Sequence, residues 1–158
     1  MGRKKFTHAQ EQLQPDPKFH SRLLAKFINV IMVDGKKWAS ERILYEALDI
    51  VEKKIKDVPP LEVFEKAIEN VKPRIEVRSK RVGGANYQVP MPVNSKRQVS
   101  LAMRWIRDAV RSGKGKAMAV RMSEELMAAY RGEGAAMTTR ENVHRMAEAN
   151  KAFAHFAW

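Results

Sequence analysis

Cysteine is absent from this chain of 158 residues. Disulfide bonds and thiolate metal sites are therefore excluded, and a reducing compartment is the natural setting. No apolar run approaches the roughly 20 residues that a membrane span needs. Residues 1–17 also lack the apolar stretch of a secretory signal. These absences predict an intracellular soluble protein.

Recognisable catalytic and metal-binding patterns are missing too. The histidines are scattered, and none forms a helical i, i+4 pair: His8, His20, His144 and His155. The segment from Gly113 to Lys116 resembles a phosphate-binding loop, but Ala117 stands where Ser or Thr would hold magnesium. No Gly-x-Ser-x-Gly sequence occurs. We therefore expect no enzyme activity, no metal and no cofactor.

Acidic residues are few compared with basic ones. The chain has 30 Lys and Arg against 18 Asp and Glu, which gives a net charge of +12 and a pI near 10.1. Residues 40–70 hold eight acids and five bases, a net −3, so the remaining residues carry +15. The charge distribution predicts a basic side that attracts a polyanion and a roughly neutral side.

Apolar residues at helical spacing predict six helices. Their expected positions are His20–Val33, Trp38–Ile55, Pro59–Lys72, Ser95–Ser112, Lys116–Arg131 and a sixth from Thr138. The predicted fold is mostly α, a single bundle of about six helices with a β-ribbon between the third and fourth. Residues 1–17 are expected to form a flexible basic arm, 18–150 the helical RNA-binding domain, and 151–158 an aromatic tail.

The ribbon is predicted over about residues 73–93, around a turn at Gly83-Gly84. Alternation places Ile75 and Val77 on an apolar face of the first strand. Basic residues and one acid share the other face of that strand: Arg74, Glu76, Arg78 and Lys80. On the second strand, the apolar face consists of Tyr87, Val89, Met91 and Val93. The prolines at 90 and 92 leave one edge without amide donors, which favours an isolated two-stranded ribbon.

RNA is favoured over duplex DNA and over an anionic membrane. The sequence shows no helix-turn-helix or zinc-finger signal and no membrane-surface helix with one basic and one bulky apolar face. Basic ribbons and abundant arginine suit irregular RNA, which is recognised by shape and through unstacked bases. Tyr87 and Trp105 are the aromatic candidates for stacking on bases, with half-burial beside the apolar stripe of its helix as the alternative for Trp105.

Four segments resemble the seventh protein of the small ribosomal subunit in its bacterial and organellar form. They are FINVIMVDGKK (27–37), ENVKPRIEVRSKRVGGANYQVPM (69–91), LAMRWI (101–106) and RMAEANKAFAHFAW (145–158). The resemblance implies a helical domain with a β-ribbon. It also implies a primary binder of the 3′ major domain of small-subunit ribosomal RNA that organises assembly of the head.

The resemblance also implies which residues make contacts. Ribosomal RNA is expected at Arg3, Lys4, Lys5, Lys36, Lys37, Arg74, Lys96, Arg97, Arg104, Arg107, Arg111, Lys114 and Lys116. The exit-site transfer RNA and the message are expected near Arg78, Lys80, Arg81, Val82, Gly83 and Gly84. Neighbouring proteins of the head and platform are expected at Phe153, His155, Phe156 and Trp158.

The implied protein is a monomer within a cytoplasmic ribosome, with an organellar matrix or stroma as the open alternative. A second functional hypothesis is a free RNA-binding regulator of translation that acts on messenger RNA. The two hypotheses differ in whether the protein resides in ribosomal particles.

Overall fold

The computed structural model describes residues 13–157 and confirms a mostly helical fold with one β-ribbon. The elements are α1 (Arg22–Ile31), α2 (Lys37–Lys54), α3 (Pro60–Val71), β1 (Ile75–Val82), β2 (Ala85–Pro92), α4 (Ser95–Ser112), α5 (Met118–Tyr130), α6 (Ala135–Ala149) and a short 3-10 helix (Lys151–Phe156), here called the tail helix. The ribbon lies between α3 and α4 as predicted. Within residues 13–157, no helix is long and apolar enough to cross a membrane.

The boundaries of α1 and α2 are set by a cap and a tight turn. The Ser21 hydroxyl accepts a hydrogen bond from the Leu24 amide and starts α1, so the helix begins later than predicted. The turn after α1 uses left-handed φ angles at Asp34 (52°) and Gly35 (72°). Lys37, expected in that connecting loop, is instead the first residue of α2.

The capping-box pattern of Ser or Thr followed three residues later by Glu or Gln occurs at residues 95–98 and 138–141, but neither occurrence caps its helix. Asn94, not Ser95, caps α4, because its side chain accepts from the Arg97 amide at 2.9 Å. Helix α6 begins at Ala135, before the predicted start at Thr138. The Ala136 amide at the start of α6 donates to the Glu125 carboxylate of α5, so the cap comes from another helix.

The core is formed by the apolar stripes that the sequence predicts, and α5 packs against α2, α3, α4 and α6. The rings of Phe27 and Phe64 meet at its centre with 5.4 Å between their centroids. The largest fully buried side chains are Phe27, Phe64, Leu24, Ile28, Leu44, Leu48, Ile68, Met103, Ile106, Met122, Leu126 and Val51. Met103 and Met122 are therefore core residues, whereas Met146 on α6 is exposed.

Side chains from other helices bind the carbonyl groups at four helix ends. The last carbonyls of a helix lack partners within it and carry partial negative charge, which favours donors and cations there. The pairs are Arg111 with Ile31 O (α1), Arg140 with Asn70 O (α3), Arg121 with Val110 O and Gly113 O (α4), and the Asn70 amide with Ala129 O and Tyr130 O (α5). These bonds fix the helices relative to one another.

The ribbon has the predicted turn and the predicted alternation of residues along each strand, but the covered face of β1 is the charged one. Residues directly opposite in the register share a face: Glu76 with Met91, Arg78 with Val89, and Lys80 with Tyr87. The charged side of β1 therefore lies with the apolar side of β2, and this face turns toward α6 and the tail helix. Ile75 and Val77, predicted as the apolar face, lie on the opposite face with Pro92 and Pro90.

The prediction of a two-stranded ribbon is confirmed within the described residues. The Val93 amide donates to Arg74 O at 3.0 Å. The amides of the residues two and four positions before Val93 therefore also point toward β1. Pro90 and Pro92 have the opposite parity, and their nitrogens therefore line the outer edge. The outer edge therefore lacks N–H donors at these two positions, which disfavours pairing with another strand there.

Asn70→Ala tests whether capping across helices stabilises the bundle. The side-chain amide of Asn70 lies 2.9 Å from Ala129 O and 3.0 Å from Tyr130 O. Loss of both bonds leaves two carbonyls without that partner, so we expect the free energy of unfolding to fall by about 1–3 kcal/mol. Urea unfolding measures the change.

The matched control is Asn142→Ala, at an exposed position on α6. The helix-propensity gain is the same in both variants, but the control removes no interhelical bond. Equal midpoints for the two variants would contradict the capping role of Asn70.

Candidate nucleic-acid interface

The basic residues predicted to bind RNA fall into two groups. Some are exposed and have no ion pair or side-chain hydrogen bond with any residue in the range 13–157: Lys36, Arg74, Arg81, Lys96, Arg104 and Lys114. Arg3, Lys4, Lys5 and Trp158 lie outside the described residues. The exposed group is available for a phosphate without loss of an internal bond.

The second group is already bonded within the protein. Lys116 pairs with Glu124 at 2.6 Å, and this lysine lowers the pKa of the Glu124 carboxyl. Arg107 pairs with its neighbour Asp108 at 2.7 Å. The other internal pairs are Lys37 with Glu41 (3.8 Å), Arg97 with Glu76 (2.7 Å) and Arg111 with Ile31 O (2.8 Å). Of the four α4 arginines expected to bind RNA (Arg97, Arg104, Arg107 and Arg111), Arg104 is therefore the one without an internal partner in residues 13–157.

Glu76 joins the ribbon to α4. Its side chain is buried, with the residue 7% exposed, although it shares a strand face with basic residues. Arg97 from α4 contacts both carboxylate oxygens at 2.9 and 2.7 Å, and Arg78 on β1 adds a contact at 2.7 Å. A buried carboxylate is stable only with such partners. Arg78 and Arg97 are therefore already engaged in holding the base of the ribbon.

The tip of the ribbon is open. Arg81, Gly83 and Gly84 are exposed, and Val82 is half-buried. The turn needs left-handed angles at both glycines, with φ of 57° and 86°. A Cβ at either glycine would meet nothing within 4 Å, so the backbone here can approach a ligand closely. The predicted tip residues therefore lie together on an accessible surface.

The aromatic tail lies on the ribbon. The Tyr87 ring is 5.2 Å from the Phe153 ring and 5.0 Å from the Phe156 ring, measured between centroids. Lys80 Nζ donates to Phe156 O at 2.7 Å. Lys80 and Phe156, predicted to face different partners, therefore contact each other, and Tyr87 is not the open stacking surface that the sequence predicted.

The structure brings together basic residues that the sequence analysis missed. An open groove of about 400 Å³ lies between α1 and the start of α4. Its lining combines the cations Arg22, Lys26, Lys72 and Lys96 with Leu13, Leu23, Ser95 and Val99. The available signal was the i, i+4 spacing of Arg22 and Lys26, which places both on one side of α1. Lys72 also pairs with Glu69 at 2.5 Å.

The part of the predicted arm that the structure describes is anchored at Asp16. The Asp16 carboxylate accepts bonds from the Lys18 and Phe19 amides and from the Tyr45 hydroxyl of α2. Burial, and then the bond to Asp16, raises the pKa of the Tyr45 phenol well above its ordinary value. Flexibility of the arm stays a prediction.

His144 holds the base of β1 to α6. Its Nε2 accepts a hydrogen bond from the Arg74 amide at 3.1 Å, which requires a neutral ring. Burial, followed by repulsion from Arg140 and Arg74, lowers the pKa of His144 below its ordinary 6.5. The side chain of Arg74 remains exposed.

The described part of the chain contains no group of three His, Asp or Glu residues that could hold a metal ion. What the site offers instead is a set of exposed cations on the α1–α4 side, at the start of α2 and at the ribbon tip. Such an arrangement has the charge and spread that contact with the phosphates of an extended polyanion requires.

Comparison with known proteins identifies the family. The family described as "Ribosomal protein S7p/S5e" matches residues 3–151. The chain is 58% identical to "Small ribosomal subunit protein uS7" of Rhodopirellula baltica over 100% of both chains. The protein of that name from Alcanivorax borkumensis is 56% identical over 94% of each chain. The chain therefore belongs to the S7p/S5e family of small ribosomal subunit proteins, which confirms the resemblance.

The pKa of His144 predicts a pH dependence of stability. The folded state resists protonation of this ring, whereas the unfolded chain takes up a proton near pH 6.5. The stabilisation by His144 is therefore complete above about 6.5 and is lost as the pH falls toward the lower folded-state pKa. Urea unfolding between pH 7.5 and 5 should show this decrease.

His144→Gln is the control, because glutamine can accept the Arg74 amide bond and does not titrate. The difference in unfolding free energy between wild type and His144→Gln should change with pH in the stated direction. An NMR titration that places the His144 pKa at or above 6.5 would contradict the assignment.

Proposed function

We propose that this protein is a structural constituent of the small ribosomal subunit that binds the 3′ major domain of its ribosomal RNA and organises assembly of the head. The observation that carries the proposal is the set of exposed cations without internal partners in residues 13–157, among them Lys36, Lys96, Arg104 and Lys114. Family membership gives the setting, since the relatives are named as small-subunit proteins.

Electrostatics supports an RNA ligand of considerable length. The net charge of +12 attracts a polyanion at long range. Each phosphate that a Lys or Arg neutralises releases counterions and steepens the salt dependence of binding by about 0.7–0.9 log units per log unit of salt. The acidic span 40–70 lies mainly on α2 and α3, so the RNA is expected on the α1–α4 side and at the start of α2.

The ribbon tip supports a second RNA contact, near the exit-site transfer RNA and the exit path of the message. Arg81 is exposed there without an ion pair to any residue in the range 13–157. The glycine pair beside it leaves space for a phosphate backbone. The tail helix packs against Lys80 and Tyr87, in the half of the ribbon nearer the tip, and its exposed His155 is open to a neighbouring protein of the platform.

The decisive experiment is a titration of the purified protein with the 3′ domain RNA at several salt concentrations, with unrelated structured RNA as competitor. Specific binding should survive the competitor. Arg104→Ala should reduce the salt slope by about 0.7–0.9, because Arg104 is available for a phosphate. Arg107→Ala removes the same charge one turn away but should change the slope much less, since Arg107 already pairs with Asp108.

If the unrelated RNA abolishes binding of the 3′ domain RNA, the ribosomal RNA proposal is overturned. Specific binding to messenger RNA in that case, together with protein outside ribosomal particles on a sucrose gradient, would support the free-regulator hypothesis instead. Equal slopes for the two arginine variants would show that internal pairing does not decide which cations bind.

Arg81→Glu tests the ribbon tip. We expect small subunits reconstituted with this variant to bind exit-site transfer RNA several-fold more weakly, because the reversed charge repels phosphate. The free energy of unfolding should stay within about 0.5 kcal/mol of wild type, as for other surface substitutions. Filter binding to reconstituted subunits and urea unfolding measure the two quantities.

Two controls separate position from charge and from folding. Lys66→Glu makes the same charge reversal on exposed α3, and it should leave transfer-RNA binding unchanged. Arg78→Glu places a second carboxylate beside Glu76, so it should destabilise the fold, unlike Arg81→Glu. Equal loss of transfer-RNA affinity in Lys66→Glu would remove the assignment of the tip.

A further inference from the structure

Trp38 is a large aromatic side chain that the fold leaves in solvent. It is 70% exposed, at the second position of α2. Among the described residues, the exposed large hydrophobic side chains are Trp38, Val33, Ile75 and Met146, so Trp38 is the aromatic one. Burial of a tryptophan ring contributes much to a core, and this ring contributes little. Packing within the protein therefore does not explain its placement.

On the side of the turn, the neighbours of Trp38 are groups that bind nucleotides, whereas Glu41, Glu46 and Asp49 lie around it on the α2 side. The exposed Lys36 and Lys37 precede it directly, at the start of α2. Lys36 has no ion pair with residues 13–157, and Lys37 has only the long contact to Glu41 at 3.8 Å. A phosphate beside these lysines lies within reach of a base over the indole ring.

Arg42, one turn along α2, lies against the same ring. Its guanidinium carbon is 5.1 Å from the Trp38 ring centroid, which is the geometry of a cation–π contact. The arginine restrains the indole on one side, and the 70% exposure leaves the remaining surface open. A restrained flat ring loses little conformational entropy when a ligand stacks on it.

The other candidate stacking residues are engaged within the protein. Tyr87 packs against Phe153 and Phe156, and Trp105 is half-buried against the core. Single-stranded and looped RNA is recognised largely by stacking of unpaired bases on aromatic and arginine side chains. Trp38 with Arg42 is the arrangement of that kind that residues 13–157 leave accessible.

We propose that Trp38 stacks on an unpaired nucleobase of the bound RNA, with the adjacent phosphate held by Lys36 and Lys37. The inference rests on the proposed RNA-binding function and adds a contact to it. Stacking is not an ionic contact, so it contributes to affinity without contributing to the salt slope.

Trp38→Ala in the full-length protein tests the stacking contact. Binding of the 3′ domain RNA should weaken by about 5- to 150-fold, the range for loss of one stacked base, with an unchanged salt slope. Trp38→Phe should retain most of the affinity. The fluorescence contributed by Trp38 is the difference between wild type and Trp38→Phe. This contribution should be quenched when RNA is added.

Val33→Ala is the matched control, because Val33 is an apolar residue 52% exposed beside the same turn. It should bind RNA as wild type does. Urea unfolding should give equal midpoints for wild type, Trp38→Ala and Val33→Ala, which excludes a folding defect.

Wild-type affinity in Trp38→Ala, or Trp38 emission that RNA does not change, would overturn the inference and leave the ribosomal RNA proposal intact. An equal loss of RNA affinity in Trp38→Phe and Trp38→Ala would overturn it as well, since an aromatic face would then not determine the affinity. Failure of the wild-type protein to discriminate between RNAs would overturn the proposed function instead, and the Trp38→Ala comparison can be made with either RNA.

Discussion

The ends of the helices in this bundle are held by side chains from other helices. Arg111, Arg121 and Arg140 donate to carbonyls at the ends of α1, α4 and α3, and Asn70 does the same for α5. Each bond satisfies a backbone group that its own helix leaves unpaired, and the cations also oppose the helix dipole. Connections this specific determine how the helices are oriented, whereas apolar stripes alone permit several arrangements. The ribbon and the cationic surface take their positions from that arrangement.

The same residue type therefore has two uses, and net charge does not distinguish them. Arg111 and Arg104 lie on one flank of α4, yet Arg111 binds a carbonyl and Arg104 has no internal partner within residues 13–157. Arg97 holds the buried carboxylate of Glu76. The charge of +12 thus overstates the number of cations available to a ligand. It still describes long-range attraction correctly, because paired charges add to the field of the whole protein.

Periodicity in the sequence predicted the helices, the ribbon and its glycine turn, since these depend on local patterns. It did not predict which face of β1 points inward. Parity assigns Ile75 and Glu76 to opposite faces but does not say which face the rest of the chain covers. Two arginines stabilise the Glu76 carboxylate in its buried position. The caps of α6 and the contact between Lys80 and Phe156 depend on residues distant in sequence, for which no local pattern exists. The i, i+4 spacing of Arg22 and Lys26 indicates a basic side of α1, but the groove that this side forms with Lys72 and Lys96 depends on residues distant in sequence.

The contacts between the ribbon and the tail helix have a consequence for the order in which the segments of the protein fold. Lys80 and its acceptor Phe156 are 76 positions apart. The Tyr87 ring on β2 packs against the same segment. A two-stranded ribbon alone is marginally stable in water. During synthesis, β1 and β2 emerge well before α6 and the tail helix, which cover their inner face. The ribbon is therefore among the first segments to be translated past the third helix and among the last to gain its full set of contacts.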